Sequence, residues 1–369
     1  MKRRYKILGA IVAFLLVTVL VFLRYLSHEG ECSEPTALAA GAPTMKAIVY
    51  RCYGGPEVLK LEDVAKPVAA DDQVLVKVKA AAVNPLDWHY MRGLPFIMRM
   101  SSGVGAPNDI HMGADFAGIV EAVGKNVTQY KLGDEVYGGR NGAFGEYVAV
   151  RETRAIAMKP SNISFEQAAA VPIAGVTALQ ALRDVGALRR GQRVLINGAS
   201  GGVGTFAVQI AKSMGAEVTG VCSTRNVDMV RSLGADHVID YKQENFTQGS
   251  QEYDLIIDNV GNHDLSDLRR VMTDTGKMVM VGGPSDEKFL GPLWGSIKAA
   301  LFSLFVSQEF KFMLADETHE DLDALRGMMQ SGKLTPVIDR SYPLADTAAA
   351  IAYIEEGRAR GKVIISVAQ

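Results

Sequence analysis

A short apolar segment that runs into a glycine-rich turn and then into an amphipathic helix constrains this chain more than any other feature. Residues 191–212 read GQRVLINGASGGVGTFAVQIAK, in which Arg193–Ile196 is predicted to be a buried strand and a helix is predicted to begin near Val203. A further predicted strand at Glu217–Val221 completes a βαβ unit. Such a unit requires a parallel sheet, and small residues at its first turn let phosphate groups approach the N–H groups at the helix N-terminus.

The turn itself has the spacing of a dinucleotide-binding fingerprint, with alanine in place of the first glycine. An ordinary strand-to-helix turn is the alternative interpretation, and the strands on both sides of the helix argue against it. The residues predicted to contact phosphate are Ala199, Ser200, Gly201, Gly202, Val203 and Gly204.

The residues after the second strand indicate which dinucleotide is bound. NAD sites place an Asp or Glu about twenty residues beyond the fingerprint, where it binds the ribose 2′-hydroxyl. This chain has no acid there and instead offers Ser223 and Arg225. Hydroxyl and guanidinium donors suit the 2′-phosphate of NADP, so we predict NADP as the cofactor. The alternative is that Arg225 is a solvated surface charge.

Beyond this motif, the chain resembles the quinone oxidoreductase and zeta-crystallin branch of the medium-chain dehydrogenases/reductases. The resemblance covers nearly everything after Met45, including VNPLDWHYMRG from Val83, GADFAGIVEAVG from Gly113, AAAVPIAGVTALQAL from Ala168 and RGKVIISV from Arg360. It implies additional cofactor contacts, which are Thr177, Tyr241, Asn259, Val260, Gly282 and Lys362.

The resemblance also implies an activity, which is NADPH-dependent transfer of hydride to a quinone, an enone or a related carbonyl compound. The candidate catalytic residues are Asn84, Asp87, His89 and Tyr90. Two alternatives for these residues are that Asp87 only holds a loop and that Tyr90 only lines an apolar wall. Two other functions also stay open: a zinc-independent alcohol or ketone dehydrogenase, and a membrane-tethered NADPH-binding protein without turnover.

Zinc-dependent members of the superfamily carry a cysteine, a His-Glu pair and a third ligand at the catalytic metal. By resemblance, these ligand positions correspond to Asn84, Ala114 and Ile173 in this chain. Tetrahedral zinc needs several converging nitrogen or sulfur ligands, which these residues do not supply. We therefore expect no metal in the site.

The pattern of apolar residues divides the remainder of the chain into two regions. Short predicted strands lie between glycine-rich turns up to Val150, whereas strands and helices alternate beyond Ser164. The predicted fold class is α/β: a β-rich catalytic domain, which the resemblance implies is GroES-like, and a doubly wound Rossmann domain that binds NADP. The strands predicted for the first region are Lys46–Arg51, Gln73–Ala82, Gly118–Val123, Glu135–Tyr137 and Gly145–Val150.

The predicted domain limits are 45–165 for the catalytic domain and 166–334 for the Rossmann domain, with about 335–369 completing the catalytic domain. The last predicted strand, Gly361–Val367, either closes the cofactor sheet or returns to the first domain. An apolar stretch, Phe289–Leu314, is predicted to form helices that cover the substrate cleft and pack against a second subunit, which makes a homodimer possible. A peripheral contact of this stretch with a bilayer is the alternative.

The N-terminus is predicted to be a single-pass membrane anchor over residues 1–28, followed by a flexible linker over 29–44. Basic residues precede the apolar segment Ile7–Leu23, which has about the minimum length of a bilayer span. A cleaved signal peptide with a site at Ala37–Ala39 is the alternative. The predicted location is the membrane, on a side that the sequence leaves open, because the basic N-terminus and the cytosolic supply of NADPH point in opposite directions.

Composition excludes one class of partner and one class of scaffold. The chain has 39 Lys and Arg against 41 Asp and Glu, so no basic surface for nucleic acid is expected. Its three cysteines are too few and too scattered for a disulfide framework.

Overall fold

The computed structural model describes residues 2–35, 37–283, 288–289 and 291–367, without the side chains of residues 2–4, 6–12 and 292–293. The first half of the chain is mostly β structure. In order, its elements are α1 (Lys2–Leu26), β1 (Thr44–Tyr50), β2 (Leu59–Ala65), β3 (Gln73–Val83), α2 (Pro85–Arg92), α3 (Arg99–Ser102), β4 (Asp115–Val123), β5 (Glu135–Gly139), β6 (Tyr147–Arg151) and β7 (Ile156–Met158).

Helices and strands alternate in the second half, as the sequence predicts. The elements are α4 (Phe165–Ala169), α5 (Pro172–Gln180), which continues as a π-helical turn, β8 (Arg193–Asn197), α6 (Gly202–Ser213), β9 (Glu217–Cys222), α7 (Val227–Ser232), β10 (His237–Asp240), β11 (Tyr253–Asp258), α8 (Leu265–Arg270), β12 (Met272–Met280), α9 (Pro292–Ser303), β13 (Glu309–Phe312), α10 (His319–Gln330), β14 (Ile338–Pro343), α11 (Thr347–Glu355) and β15 (Lys362–Ser366).

The β-rich part is built on a sheet in the order β14-β15-β3-β4-β5-β7, with β6 also pairing with β3. All of these pairs are antiparallel except β14 with β15. The strands β1 and β2 form a separate antiparallel pair. Since β15 pairs with β3, the last strand of the chain returns to the first sheet, which decides between the two alternatives that the sequence left open.

The second sheet is parallel throughout, in the order β10-β9-β8-β11-β12-β13. In this order the chain moves outward from β8 to β10 and then resumes on the other side at β11. The crevice between β8 and β11 is therefore the topological switch point, where doubly wound sheets bind their ligands. Three consecutive residues of β8, Val194 to Ile196, are fully buried, which is typical of a parallel strand covered on both faces.

The apolar stretch Phe289–Leu314 forms one helix and one strand instead of helices alone. Strand β13 pairs with β12 and is the edge of the parallel sheet, and α9 packs against it. The outer surface of α9 and the turn after it remain exposed, whereas Leu290 lies outside the described residues. The exposed apolar side chains of this surface are Trp294, Ile297, Leu301, Leu304 and Phe305.

The N-terminal helix α1 corrects one prediction. Within the described residues, no helix is both long enough and apolar enough to cross a membrane. A bilayer span needs about 20 predominantly apolar residues in one helix, which no helix supplies among the residues that the structure describes. Met1 and the side chains of residues 6–12 lie outside this description. The predicted transmembrane helix at 1–28 and the predicted single-pass membrane localisation are therefore wrong, and attachment to a membrane through this helix is not supported.

The segment after α1 docks onto the β-rich part of the molecule. Leu26 is buried, and the fully buried Arg99 donates hydrogen bonds to the carbonyl oxygens of Leu26 at 3.3 Å and His28 at 2.8 Å. A disulfide joins Cys32 to Cys52, just beyond the end of β1. The sequence analysis predicted neither this disulfide nor the packing of Arg99, because both join residues that are distant in the chain.

Candidate active site

The turn between β8 and α6 is so tight that a side chain would collide with the backbone inside it. A Cβ at Gly204 would lie 2.1 Å from the carbonyl oxygen of Gly198. Gly201 is the N-cap of α6 and offers no side chain to the first N–H groups of the helix. These groups therefore remain available to an anion. The small-residue cradle and the unpaired donors fit the pyrophosphate of a dinucleotide.

The loop after β9 carries hydroxyl, amide and guanidinium donors. The exposed Arg225 donates a hydrogen bond to the carbonyl oxygen of Arg358. The buried Asn226 donates from Nδ2 to Ser200 Oγ at 2.9 Å and to Ser223 Oγ at 3.3 Å. Its own Oδ1 is buried and has no hydrogen-bond partner within the described part of the chain. Asn226 thus links the phosphate turn to the predicted 2′-phosphate site. Sequence reasoning missed it, although a polar residue so close to Ser223 was a usable signal.

Two further predicted cofactor residues, Tyr241 and Thr177, belong to elements that pack near β9 and α6. The backbone N–H of Tyr241 donates to the carbonyl oxygen of Cys222 at 3.1 Å, while 57% of Tyr241 is exposed. Thr177 is buried on α5, which packs against α6. The contact of both residues with a cofactor stays a prediction.

A buried amide–carboxylate pair organises the crevice at the ends of β8 and β11. Asn197 Nδ2 donates to Asp258 Oδ1 at 2.9 Å. The N–H groups of Val260 and Gly261 donate to the same oxygen at 3.0 and 2.9 Å. Among the residues that the structure describes, Asp258 Oδ2 and the Oδ1 of Asn259 are buried without hydrogen-bond partners. Sequence reasoning named Asn259 and Val260 but missed Asn197 and Asp258, which are polar residues at the ends of otherwise apolar strands.

Gly282, another predicted cofactor residue, lies in close contact with the backbone of the chain after β11. A Cβ at Gly282 would lie 2.2 Å from the carbonyl oxygen of Asn259, so only glycine lets the chain after β12 pass beside the chain after β11. Gly282 therefore shapes the crevice through its lack of a side chain.

A buried charged cluster lies where the two sheets meet. Lys362, which is 2% exposed, donates from Nζ to Asn84 Oδ1 and lies 3.2 Å from Asp115 Oδ2. Asn84 Nδ2 donates to the same Asp115 oxygen at 2.9 Å, and Asp115 is fully buried. The N–H of Gly361 donates to the carbonyl oxygen of Ser200 at 2.9 Å, which ties β15 to the phosphate turn.

Asn84 and Asp87 also form the N-terminus of α2. Asp87 Oδ2 accepts a hydrogen bond from the N–H of Asn84 at 2.7 Å, which is half of a capping box. Burial raises the pKa of Asp87 to about 7, against the opposing effect of that hydrogen bond. The structure thus gives Asp87 a role in holding the start of α2.

The other two predicted catalytic residues lie further along α2. His89 stacks on Trp88 at 3.6 Å between ring centroids, and its Nδ1 is 2.8 Å from the carbonyl oxygen of Leu94. Burial lowers the pKa of His89, which favours the neutral imidazole. Tyr90 is 37% exposed. Neither residue joins the cluster around Lys362.

Two of the three positions that by resemblance correspond to zinc ligands, Asn84 and Ile173, have other partners. Asn84 is held by Lys362 and Asp115, and the N–H of Ile173 donates to Asp115 Oδ1 at 3.0 Å. In the described part of the chain, no group of three or more His, Cys, Asp or Glu side chains converges as metal ligands would. The ammonium group of Lys362 supplies the positive charge of this region.

Comparisons with known proteins agree with this geometry. Residues 70–161 match the alcohol dehydrogenase GroES-like domain, and residues 233–365 match a model described as zinc-binding dehydrogenase. The chain is 35% identical to the NADPH-dependent alkenal/one oxidoreductase of Arabidopsis thaliana, over 89% of this chain and 81% of that protein. It is also 35% identical to the quinone oxidoreductase of Sus scrofa, over 89% of this chain and 99% of that protein.

A solved structure supports the same assignment. The quinone oxidoreductase from Coxiella burnetii superposes with a TM-score of 0.76 at 31% identity, covering 88% of this chain and 100% of that one. Both predicted parts of the fold, the GroES-like domain and the Rossmann domain, are therefore confirmed, as is NADP as the cofactor. The chain belongs to the medium-chain dehydrogenase/reductase superfamily, in its zinc-independent quinone oxidoreductase branch, and is an NADP-dependent oxidoreductase.

Proposed function

We propose that this oxidoreductase is a metal-independent reductase of quinones, enones or related carbonyl compounds. The observation that carries the proposal is the buried ammonium group of Lys362, held by Asp115 and by Asn84, whose position by resemblance corresponds to a ligand of the zinc-dependent members. A simple alcohol is oxidised most readily when a Lewis acid lowers the pKa of its hydroxyl group, and these residues do not fit such a metal. A carbon made electron-poor by a conjugated carbonyl accepts hydride without that help. The names of the Arabidopsis and pig relatives fall in this class of reaction.

Bound NADPH supplies the hydride from its nicotinamide ring, and the chain supplies binding and electrostatics. The turn after β8 would hold the pyrophosphate, and the crevice lined by Asn259 and Val260 would receive the nicotinamide. Lys362 contributes a fixed positive charge at the junction of the two sheets, which favours negative charge that develops on a nearby substrate oxygen.

The four predicted catalytic residues take different tasks in this proposal. Asn84 positions Lys362 and Asp115 through its amide group, and Asp87 holds the start of α2. The neutral His89 is engaged with the Leu94 carbonyl and so shapes the loop after α2. Tyr90 is the candidate for a direct hydrogen bond to substrate.

Steady-state assays with a panel of quinones, enones, ketones and simple alcohols test the proposal. We expect NADPH oxidation with quinones or enones, full retention of activity in chelator and no stoichiometric zinc by elemental analysis. Turnover of alcohols and ketones alone would instead indicate an alcohol dehydrogenase. NADPH binding without turnover would indicate a binding protein, and one zinc per chain, lost together with activity, would contradict the metal-independent mechanism.

Removal of the Arg225 guanidinium should weaken NADPH selectively. A charge-assisted hydrogen bond is worth roughly 1.5 to 3 kcal/mol, so Arg225→Ala is expected to raise the Kd for NADPH by about one to two orders of magnitude. NADH lacks the 2′-phosphate, so its Kd should change little. Titration calorimetry with both cofactors measures the difference.

Arg231→Ala is the matched control, because Arg231 is an exposed arginine on α7 whose partner is Asp228. It should leave both dissociation constants unchanged. Equal affinity of the parent protein for NADPH and NADH would contradict the assignment of Arg225 to the 2′-phosphate.

A further inference from the structure

A buried carboxyl group outside the predicted site lies beside the cluster around Lys362. Glu317 belongs to the loop between β13 and α10, and its carboxyl group packs directly on the α-carbon of Gly139. A Cβ at Gly139 would lie 2.0 Å from Glu317 Oε2. Gly139 pairs with Asp115 across β4 and β5. The loop thus brings a carboxyl group from the parallel-sheet part to the end of the β-rich sheet, next to the buried charges.

One oxygen of this carboxyl group makes no hydrogen bond to any residue that the structure describes. Glu317 Oε1 is buried and has no hydrogen-bond partner in the described part of the molecule. Its neighbours in the loop are held by other groups: the N–H of Asp316 donates to Gln180 Oε1, and the side chain of Thr318 caps α10. A buried polar atom without a partner destabilises the folded state, so such an atom is a candidate for function.

The charges that face Glu317 come from three directions. Asp115 lies on β4, Lys362 on β15 and Asp316 beside it in the loop. Burial raises the pKa of Glu317 to about 8, with Asp115 and Asp316 reinforcing the shift and Lys362 opposing it. The carboxyl group is therefore mostly protonated at neutral pH, unlike an exposed glutamate. Glu317 is also only partly buried as a whole residue, whereas Asp115 and Lys362 are closed off from solvent.

We propose that Glu317 is the general acid of the reductase, a step that rests on the proposed reduction of enones or quinones. An enone takes hydride at its β-carbon from NADPH, which becomes NADP⁺, and the negative charge passes to the α-carbon and the carbonyl oxygen. The Glu317 O–H bond then breaks as a new C–H bond forms at the α-carbon, which leaves the saturated ketone and a carboxylate. A quinone that takes hydride from NADPH becomes a hydroquinone monoanion, and transfer of the Glu317 proton to its charged oxygen forms the O–H bond of the hydroquinone and leaves the same carboxylate. The nearby Lys362 charge stabilises this carboxylate until a solvent proton restores the acid.

Glu317→Gln tests the role because glutamine has nearly the same shape and no acidic proton. We expect kcat to fall by about 10²- to 10⁴-fold, with the Kd for NADPH unchanged. Since the protonated form is the active one, the parent enzyme should keep its rate below neutral pH and lose it as the pH rises through about 8. This descending limb should be absent in the variant.

Glu320→Gln is the control, since Glu320 is an exposed residue in the first turn of α10. It should leave kcat and the pH profile unchanged. Glu317→Asp keeps an acid and should retain more activity than Glu317→Gln, which gives a second comparison if the glutamine variant does not fold. A carboxyl ¹³C resonance of the cofactor-free protein should titrate near pH 8 and be missing in Glu317→Gln.

These measurements separate the two proposals. A parent enzyme that reduces no quinone or enone would overturn the proposed function, whereas the carboxyl titration would still report on Glu317. An active parent whose Glu317→Gln variant keeps its rate within about threefold, or a Glu317 carboxyl that titrates near the ordinary value of about 4, would overturn the general-acid role.

Discussion

Lys362→Met is expected to destabilise the folded protein by about 3 to 5 kcal/mol at pH 8, as found when one partner of a buried ion pair is removed. The substitution leaves the fully buried Asp115 with hydrogen bonds from Asn84 and Ile173 but no positive charge. Denaturant unfolding, followed by circular dichroism, measures the change in the free energy of unfolding.

The stability lost in Lys362→Met should be larger at high pH than at low pH. Burial already raises the pKa of Asp115, and removal of Lys362 raises it further. Between the unfolded pKa of about 4 and this raised value, the folded state binds the extra proton, so stability decreases as the pH rises. Lys362→Met should therefore be less destabilised at pH 5 than at pH 8.

The double variant Lys362→Met with Asp115→Asn is the control, because it removes both charges together. It should be more stable than Lys362→Met alone. A decrease in the free energy of unfolding below about 1 kcal/mol for Lys362→Met, or the same decrease at both pH values, would show that Lys362 does not offset the buried charge of Asp115.

Replacement of both Cys32 and Cys52 by serine is expected to lower the free energy of unfolding by about 3 kcal/mol, because the disulfide then no longer restricts the unfolded chain. The bond closes a loop with a sequence separation of 20 and holds the docked N-terminal segment beside β1. Unfolding of the parent protein with and without reductant should show the same difference.

The double-serine variant serves as the control because it has no disulfide between these positions. Its unfolding curve should therefore be the same with and without reductant. Thiol titration of the unfolded parent should count one free thiol, that of Cys222. Three free thiols, together with unfolding that ignores reductant, would contradict the disulfide.

Local sequence determined much of the fold and the cofactor site. Strand β8, the turn that follows it and α6 were predicted within a few residues, because apolar periodicity and glycine sterics act over short distances along the chain. The collision that excludes a side chain at Gly204 involves Gly198, six positions earlier in the same turn. The missing acid after β9 likewise indicated NADP from adjacent residues alone.

The membrane anchor shows where a local pattern misled. Apolar composition and basic flanks near Ile7–Leu23 predicted a span, and the described part of α1 does not meet the length and hydropathy that a span requires. The following segment, 29–44, was predicted to be a flexible linker. In the structure, the N–H of Gly30 donates to the carbonyl oxygen of Gly105 at 2.9 Å, and Cys32 forms a disulfide with Cys52, so the first residues of this segment are held by contacts that only the folded chain creates.

The charged centre of the site was decided by tertiary structure. Asn84 and Lys362 are 278 positions apart, and Glu317 meets Gly139 across the two halves of the molecule. No periodic pattern in the sequence predicts such contacts. They depend on the pairing of β15 with β3 and on the loop between β13 and α10, which reaches the end of β5. The sequence by itself determined the βαβ scaffold, the phosphate turn and the preference for NADP. Only the packing of distant strands could decide which buried charges face one another and which carboxyl group keeps its proton. The reason is that burial and the distance to neighbouring charges set the pKa of each group.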